Sequence, residues 1–391
     1  VTIAPTGQEY TATLSFGLTR AYEGTLSARA SVDAAYLESY NAANGTAYEL
    51  YPETLVSFAN DGAFTVSETD ATRATATMTV SPSTELAAGV VYAIPVVVKA
   101  DGITLKEEAS HCLYLINGDT EQAENFADCD KGEGKPKGFL FFEVNGTNPL
   151  NALTFKLENG KLLWDAVVLF AANINWDAAA GRAYVNCNPN VQFLLDNNET
   201  YLQPLRKRGI KVLLGLLGNH DQSGLAQLSD IGARDFAAEV AEYVYAYNLD
   251  GVNYDDEYST SPDLSNPYFA SRSQEAAARL CYETKQLMPD KLVTVFDYGS
   301  MYGAESVDGV DADEWIDVVV ANYGGSSYPI GNMSISKCSG ISIEFNQGWP
   351  SMSSSTAQNI LDRNYGWIMG FALAPENFAR SYSMLSGFCW V

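Results

Sequence analysis

The sequence predicts an α/β chain in two parts, an all-β immunoglobulin-like sandwich followed by a (β/α)8 TIM barrel. Three observations predict it. Residues 1–118 carry short alternating segments with no helical periodicity, residues 119–137 are polar, charged and Gly/Pro-containing, and residues 138–391 alternate apolar runs with helix-like stretches. At 391 residues the chain is also long for a single domain, which favours more than one.

In the first part the candidate strands are "YTATLSFGL" (10–18), "TLSARASVD" (25–33), the run from Arg73 onward and "VVYAIPVVVKA" (90–100), rich in Thr, Val and Tyr. Turn residues punctuate them at "NAANGT" and "ANDGA". Short β-prone runs at such spacing suggest a small sandwich. No polar constellation stands out there, so this part reads as a structural or positioning module. Residues 119–137 read as the linker between domains.

In the second part eight strand candidates follow one another: 139–145, 166–173, 211–219, 249–257, 291–299, 317–324, 340–347 and 366–374. Helix-like segments lie at 190–208, 230–247, 270–288, 355–364 and 376–386. Near-continuous apolar strands imply burial on both faces, as in a parallel sheet. Eight of them over about 250 residues is the size of a (β/α)8 barrel. The rival, an open doubly wound sheet, lacks its Gly-rich phosphate loop after the first strand.

Composition excludes several classes of function. With 48 acidic against 23 basic residues the formal net charge is −25, which repels nucleic-acid phosphates and anionic membranes. No run of about 18 apolar residues is present to span a bilayer. Six scattered cysteines without a CxxC pair, and only two histidines, argue against a zinc site. The chain begins at Val1 without Met, which suggests that an upstream export signal has been removed.

The chemistry concentrates in "LDGVNYDDEY" (249–258). With a strand period of two, Asn253, Asp255 and Glu257 share one face while Val252 and Tyr254 share the other. The apolar pair suits packing against helices, so the polar three are expected to climb the barrel interior toward its C-terminal mouth. Carboxylates there are costly unless paired, and the cost usually marks function. A Ca²⁺ loop is a poor alternative, because the Gly and spaced Glu of an EF-hand are missing. A solvated acidic loop would explain Asp256 and Glu257, but not Asn253 and Asp255 inside the apolar run.

The stretch resembles the D-G-x-D-x-D-x-E signature of glycoside hydrolase family 18, chitinases and endo-β-N-acetylglucosaminidases. With "VVLFAANINW" (167–176), "GIKVLLGLLGNHDQSG" (209–224) and "MPDK" (288–291), it resembles the bacterial endoglycosidases of the endo H type. Chitinases carry Trp in the place of Asp256. The first domain resembles amino-terminal modules of Bacteroides-type glycan-degrading systems. The resemblance implies substrate-assisted retaining hydrolysis of the GlcNAc-β-1,4-GlcNAc core of N-linked, high-mannose glycans, without a cofactor. It assigns Glu257 as acid/base, Asp255 as holder of the acetamide N–H and Tyr323 as donor to the acetamido oxygen. Asp250 is expected to be structural and Asp256 non-catalytic. Asn253 departs from the pattern, which has Asp there. An amide can hydrogen-bond Asp255 but carries no charge, so an active enzyme with a shifted pH profile is expected.

Around the same mouth, Glu143 and Asn145 end the first strand, Asn173 and Asn175 follow the second, Asn219 and His220 follow the third, and Asn322 neighbours Tyr323. Gln347, Trp349 and Phe371 follow the last two strands. Glu143, Asn173, Asn219, Asn322 and Gln347 are the candidate sugar contacts, each also explicable as a cap or loop residue. The implied partner is an N-glycan of a glycoprotein or a free oligosaccharide, bound by a monomer. An exported bacterial protein is expected: periplasmic, cell-surface (lipid-anchored) or secreted. The rivals are a chitinase, which Asp256 disfavours, and a catalytically silent glycan-binding protein, which only Asn253 suggests.

Overall fold

The computed structural model describes residues 9–117, apart from residues 19, 69, 84, 85, 88, 89 and 106–109, and residues 128–388. The chain divides into two compact units, Val1–Ala123 and Glu124–Val391.

The first unit is a β-sandwich. Strands Tyr10–Gly17, Val56–Phe58 and Thr65–Val66 pair with Arg73–Val80 in one sheet, and Ser27–Val32, Glu49–Leu50 and His111–Asn117 pair with Val91–Asp101 in the other. Arg73–Val80 buries every second residue, as expected of a strand with one face on a core. Leu14, Ala76 and Met78 of one sheet share that core with Ala30, Ile94 and Ile116 of the other. The unit is not purely β: Ala34–Asn44 is an α-helix. The Asp33 side chain caps its start and Gly45, in the left-handed region, ends it. Only Leu37 of this helix is buried, so its apolar periodicity is too weak to show in the sequence.

The second unit contains all eight expected strands, at Lys137–Glu143, Trp164–Asp177, Lys211–Gly218, Gly251–Asp255, Leu292–Asp297, Val318–Ala321, Ser339–Glu344 and Trp367–Phe371. They pair in parallel in the order sixth, fifth, fourth, third, second, first, eighth, seventh. The ring closes between sixth and seventh through the parallel bridge Val319–Cys338 and the Ala321 N–H donating to Ser339 Oγ at 2.9 Å. The second strand runs past the mouth and folds back as a hairpin with Arg182–Asn186.

Helices follow where apolar periodicity predicts them, at Asp230–Ala246, Gln274–Leu287, Ser354–Asp362 and Phe378–Met384. Ser229, Ser273 and Ser353 cap the first three through their hydroxyls. The stretch 190–208 is instead three short helices, Pro189–Asp196, Asn198–Tyr201 and Gln203–Lys207, because Asn197 and Pro204 interrupt it. Among the described residues, no helix is long and apolar enough to cross a membrane.

Residues 128–136, read from composition as linker, belong to the barrel unit. Cys129 is buried in its core, Asp128 pairs with Arg208 and Lys131 with Asp165. Their polarity reflects ion pairing at the bottom of the barrel; residues 118–127 lie outside the described ones.

Two cores result. Outside the ring, Val252 and Tyr254 pack with Phe236, Val240, Leu280 and Cys281 of the helices. Inside it, Phe139, Phe141, Val168, Leu213, Phe296 and Met369 form a separate cluster. Below the fourth strand, Asp250 is structural: it receives Arg206 at 2.8 and 3.1 Å and the Val212 N–H at 2.9 Å. Burial alone would raise its carboxyl, but Arg206, Lys211 and the Val212 N–H hold it below the usual range. A depressed folded-state pKa adds stability above the unfolded value of about 3.9, lost as pH falls through the folded value. Asp250→Ala should therefore lower stability by about 3 kcal/mol at neutral pH, since it strands Arg206 and a backbone donor. Urea unfolding at pH 7 and below pH 4 checks this, with the gap between variant and parent narrowing in acid.

Candidate active site

The fourth strand brings the polar residues to the barrel mouth. Its five residues are all buried. Tyr254 points outward and its hydroxyl meets Thr284 Oγ1 at 2.7 Å. Asn253 and Asp255 lie on the opposite face, in register with Gly215 and Leu217 on one side, and Asn253 with Thr294 on the other. Gly251 starts the strand at φ +152°, and a Cβ there would sit 2.1 Å from the Leu292 carbonyl oxygen. The Asp-Gly of the motif is thus a salt bridge followed by a close strand approach.

The strand ends earlier than its alternation suggests, at Asp255. Glu257 reaches Asp255 by a different route: its N–H donates to the Asp255 carbonyl at 3.1 Å in a tight turn. Tyr258 follows with φ +61°. The two carboxyls share a hydrogen bond. Asp255 is 3% exposed, whereas Glu257 is half-buried and open to the mouth. Burial, then the charge and hydrogen bond of Glu257, push the Asp255 carboxyl well above its ordinary range. Burial also raises Glu257, opposed by the hydrogen bond from Asp255 and reinforced by the charge of Asp256. The pair therefore retains a proton at pH values where an exposed pair would hold none.

Asp256 does not join the outer face as alternation implies. It is buried beyond the strand end, 3.7 Å from Arg272 and within 3.3 Å of the Ser300 N–H. Arg272 also holds the Ser259 carbonyl at 3.1 Å and Gln227 at 3.3 Å, so this ion pair fixes the turn bearing Glu257. Asn253 is fully buried, and its amide donates to Thr294 Oγ1 at 2.9 Å rather than to Asp255. Its Oδ1, like Asp255 Oδ1, is buried without a partner.

The other expected residues ring this pair. Tyr323 sits between Phe296 and Phe371, ring centroids 6.2 and 5.4 Å away. Burial, followed by the charges of Asp255, Glu344, Glu257 and Glu143, raises its hydroxyl, which remains a donor. Asn322 is exposed, its Oδ1 accepting the Tyr323 N–H at 2.7 Å. Glu143 and Gln347 are exposed at strand ends. The half-buried amides have protein partners. Asn173 donates to the Leu217 and Gly218 carbonyls at 3.3 Å. Asn219 donates to Asn175, which donates to Asp221, at 2.9 and 3.0 Å. They tie the hairpin to the third strand. His220 is exposed beside Tyr258, 5.4 Å between rings. Trp349 and Tyr298 present half-exposed faces, Trp349 lying over Gly324 and Tyr298 stacked on Phe296.

Sequence reasoning missed three groups. Thr294 faces Asn253, and Glu344 is buried on the inner face of the seventh strand, accepting the Asn346 N–H at 3.2 Å and that of Gln347. The same period-two reading of "LVTVFD" and "ISIEFN" would have exposed both. Gly218 is the third: a Cβ there would lie 2.1 Å from the Glu257 carbonyl oxygen, a contact invisible in sequence. Among the described residues, no His/Cys/Asp/Glu cluster is suited to a metal ion.

The chain is similar to several known proteins. A family model described as an N-terminal domain matches residues 1–103. Endo-β-N-acetylglucosaminidase F1 of Elizabethkingia meningoseptica is 49% identical over 247 residues, 61% of this chain and 72% of the relative. The endo-β-N-acetylglucosaminidase of Flavobacterium sp. (strain SK1022) is 33% identical over 250 residues, 63% of this chain and 78% of the relative. The structure of Bacteroides thetaiotamicron EndoBT-3987 with Man5GlcNAc product matches at TM-score 0.66 and 59% identity, covering 99% of this chain and 90% of that one. A second structure of EndoBT-3987, in complex with Man9GlcNAc2Asn substrate, matches at TM-score 0.66 and 56% identity over 99% of this chain and 89% of that one. With a parallel barrel whose fourth strand and the turn after it bring Asp255 and Glu257 to the mouth, the chain belongs to the endo-β-N-acetylglucosaminidases.

Proposed function

We propose that this chain hydrolyses the GlcNAc-β-1,4-GlcNAc bond in the core of high-mannose N-glycans by substrate-assisted retaining catalysis. The buried Asp255 carboxyl, joined by one tight turn to the half-buried Glu257 at the end of the fourth strand, is the observation that carries the reading. A product and a substrate of this class occupy the structures of EndoBT-3987. Glu257, raised and open to the mouth, protonates the leaving oxygen. The acetamido carbonyl of the −1 sugar attacks its own anomeric carbon, giving an oxazolinium ion. Asp255 accepts the acetamide N–H and offsets the growing positive charge, and the Tyr323 hydroxyl donates to the acetamido oxygen. Glu257, now ionised, takes a proton from the water that opens the ring. No protein nucleophile is used.

Sugar contacts are assigned to Glu143, Asn322 and Gln347, exposed at the mouth, with Asn173 and Asn219 on its hairpin side. Trp349 and Tyr298 offer faces for stacking. A monomer meets the needs of this mechanism, since the residues it uses come from one chain. Glycoprotein substrates met outside the cell also support export.

Glu257→Gln should reduce cleavage of a high-mannose glycoprotein by at least about a thousandfold while leaving glycan binding intact. Mass spectrometry should show a single GlcNAc left on the protein by the unaltered enzyme. An intact glycan with measurable binding by the unaltered enzyme would instead favour the silent glycan-binding protein. Gly218→Ala should lower kcat by about a hundredfold, because the new methyl group must displace the backbone of Glu257. Steady-state kinetics on folded protein test this, and an unchanged kcat would count against it.

A further inference from the structure

We infer that Gln227 is a positioning residue for the acid: with Arg272 it clamps the backbone behind Glu257 from outside the turn, and so fixes the line along which Glu257 delivers its proton. This rests on the role given above to Glu257. The fourth strand has ended at Asp255, and the bond from the Glu257 N–H to the Asp255 carbonyl lies ahead of the acid side chain. Beyond it, Tyr258 has φ +61°, a backbone region unfavourable to a residue with a Cβ. Such a turn keeps its shape only if its surroundings hold it. Three successive carbonyls are held in this way. Tyr258 accepts the His220 N–H at 2.9 Å, Ser259 accepts Arg272 Nη2–H at 3.1 Å, and Thr260 accepts the Gln227 side-chain amide at 2.8 Å.

Gln227 has the more exacting place. It is fully buried in the loop after the third strand, and every polar atom of its side chain is engaged. One amide hydrogen goes to the Thr260 carbonyl and the other to the Gln222 carbonyl at 2.7 Å. Its oxygen takes Arg272 Nε–H at 3.3 Å. Turning the amide over would set its oxygen against two carbonyls and its N–H against a guanidinium. Its orientation is therefore determined, and it in turn orients Arg272, whose Nε lies 3.7 Å from Asp256 on the other side of Glu257. The packing is close as well: a Cβ on Gly224 would come within 2.9 Å of Gln227 Cδ and 2.5 Å of Ser259 Oγ. Asp256, Ser259 and Thr260 are thus tied to one buried amide and one guanidinium, with Glu257 between the fixed points.

The consequence is specific to one step. Glu257 gives its proton to the glycosidic oxygen as the anomeric C–O bond breaks, and the bonding pair stays on that oxygen. An acid aimed about an ångström off transfers that proton poorly. A leaving group that is stable as an anion, such as 4-nitrophenolate, departs with the bonding pair and needs no proton. A defect confined to aim therefore shows with a sugar leaving group and fades with nitrophenolate, whereas a general loss of folded enzyme lowers both alike.

The test compares kcat/KM on two substrates, a high-mannose glycoprotein and a high-mannose glycan whose single GlcNAc is β-linked to 4-nitrophenol. Gln227→Met, which keeps the bulk and removes the amide, should lose about tenfold or more on the glycoprotein and less than about threefold on the nitrophenyl glycoside. Equal losses on both substrates, or no loss on the glycoprotein, overturn the proposal. If Gln227→Met fails to fold, Arg272→Lys decides by the same ratio: it keeps a cation beside Asp256, but its one nitrogen cannot stand in for both Nε and Nη2. Glu257→Gln is the control for the reading beneath, and should fall far more on the glycoprotein than on the nitrophenyl glycoside. An equal fall on both overturns the acid role of Glu257, and the clamp with it. A split in Glu257→Gln without one in the clamp variants overturns the clamp alone.

Discussion

Two carboxyl groups that share a hydrogen bond inside an apolar ring cannot both be ionised cheaply, and the rest of the barrel is arranged around that constraint. Asp255 stands on a strand with neither face in water, and burial is the largest influence on its acidity. Glu257 is joined to it by a turn, which leaves Glu257 open to the mouth while Asp255 remains sealed. One member of the pair can thus meet substrate and solvent water while burial of the other holds a proton on the pair. Arg272 pairs with Asp256 nearby and holds the Ser259 carbonyl, so the third carboxyl of the cluster fixes the turn.

Much of this is legible in the sequence. Near-continuous apolar runs identify eight parallel strands because both faces of each are buried, and each run falls on a strand. The inward direction of Asn253 and Asp255 follows from period two alone. Alternation also aims Glu257 inward, but it stops where the strand stops at Asp255, and a turn carries the chain on to Glu257. The helix at Ala34–Asn44 was not legible because it buries a single side chain. The polar stretch 128–136 looks like linker because composition cannot distinguish solvated charges from the pairs Asp128–Arg208 and Lys131–Asp165.

The amides at the mouth show a similar limit. Asn173, Asn175 and Asn219 look from their positions like hydroxyl-binding groups, and the structure gives each a protein partner. Asp221 gathers them, accepting from both Asn175 and the Trp176 N–H. A polar residue after a barrel strand can face sugar, hold a loop, or do both, and only the hydrogen-bond inventory separates the first two.

The fourth strand is gripped from both sides at once. Outward, Tyr254 is bonded to a helix through Thr284; inward, Asn253 is bonded to the neighbouring strand through Thr294. Its rotation about its own axis is fixed by two side-chain bonds that originate outside the motif. The ten letters "LDGVNYDDEY" are therefore not a portable unit. Grafted into another eight-stranded barrel, they would carry the reacting groups but not their aim, unless the recipient also supplied a hydroxyl on each flank and a glycine in the place of Gly218.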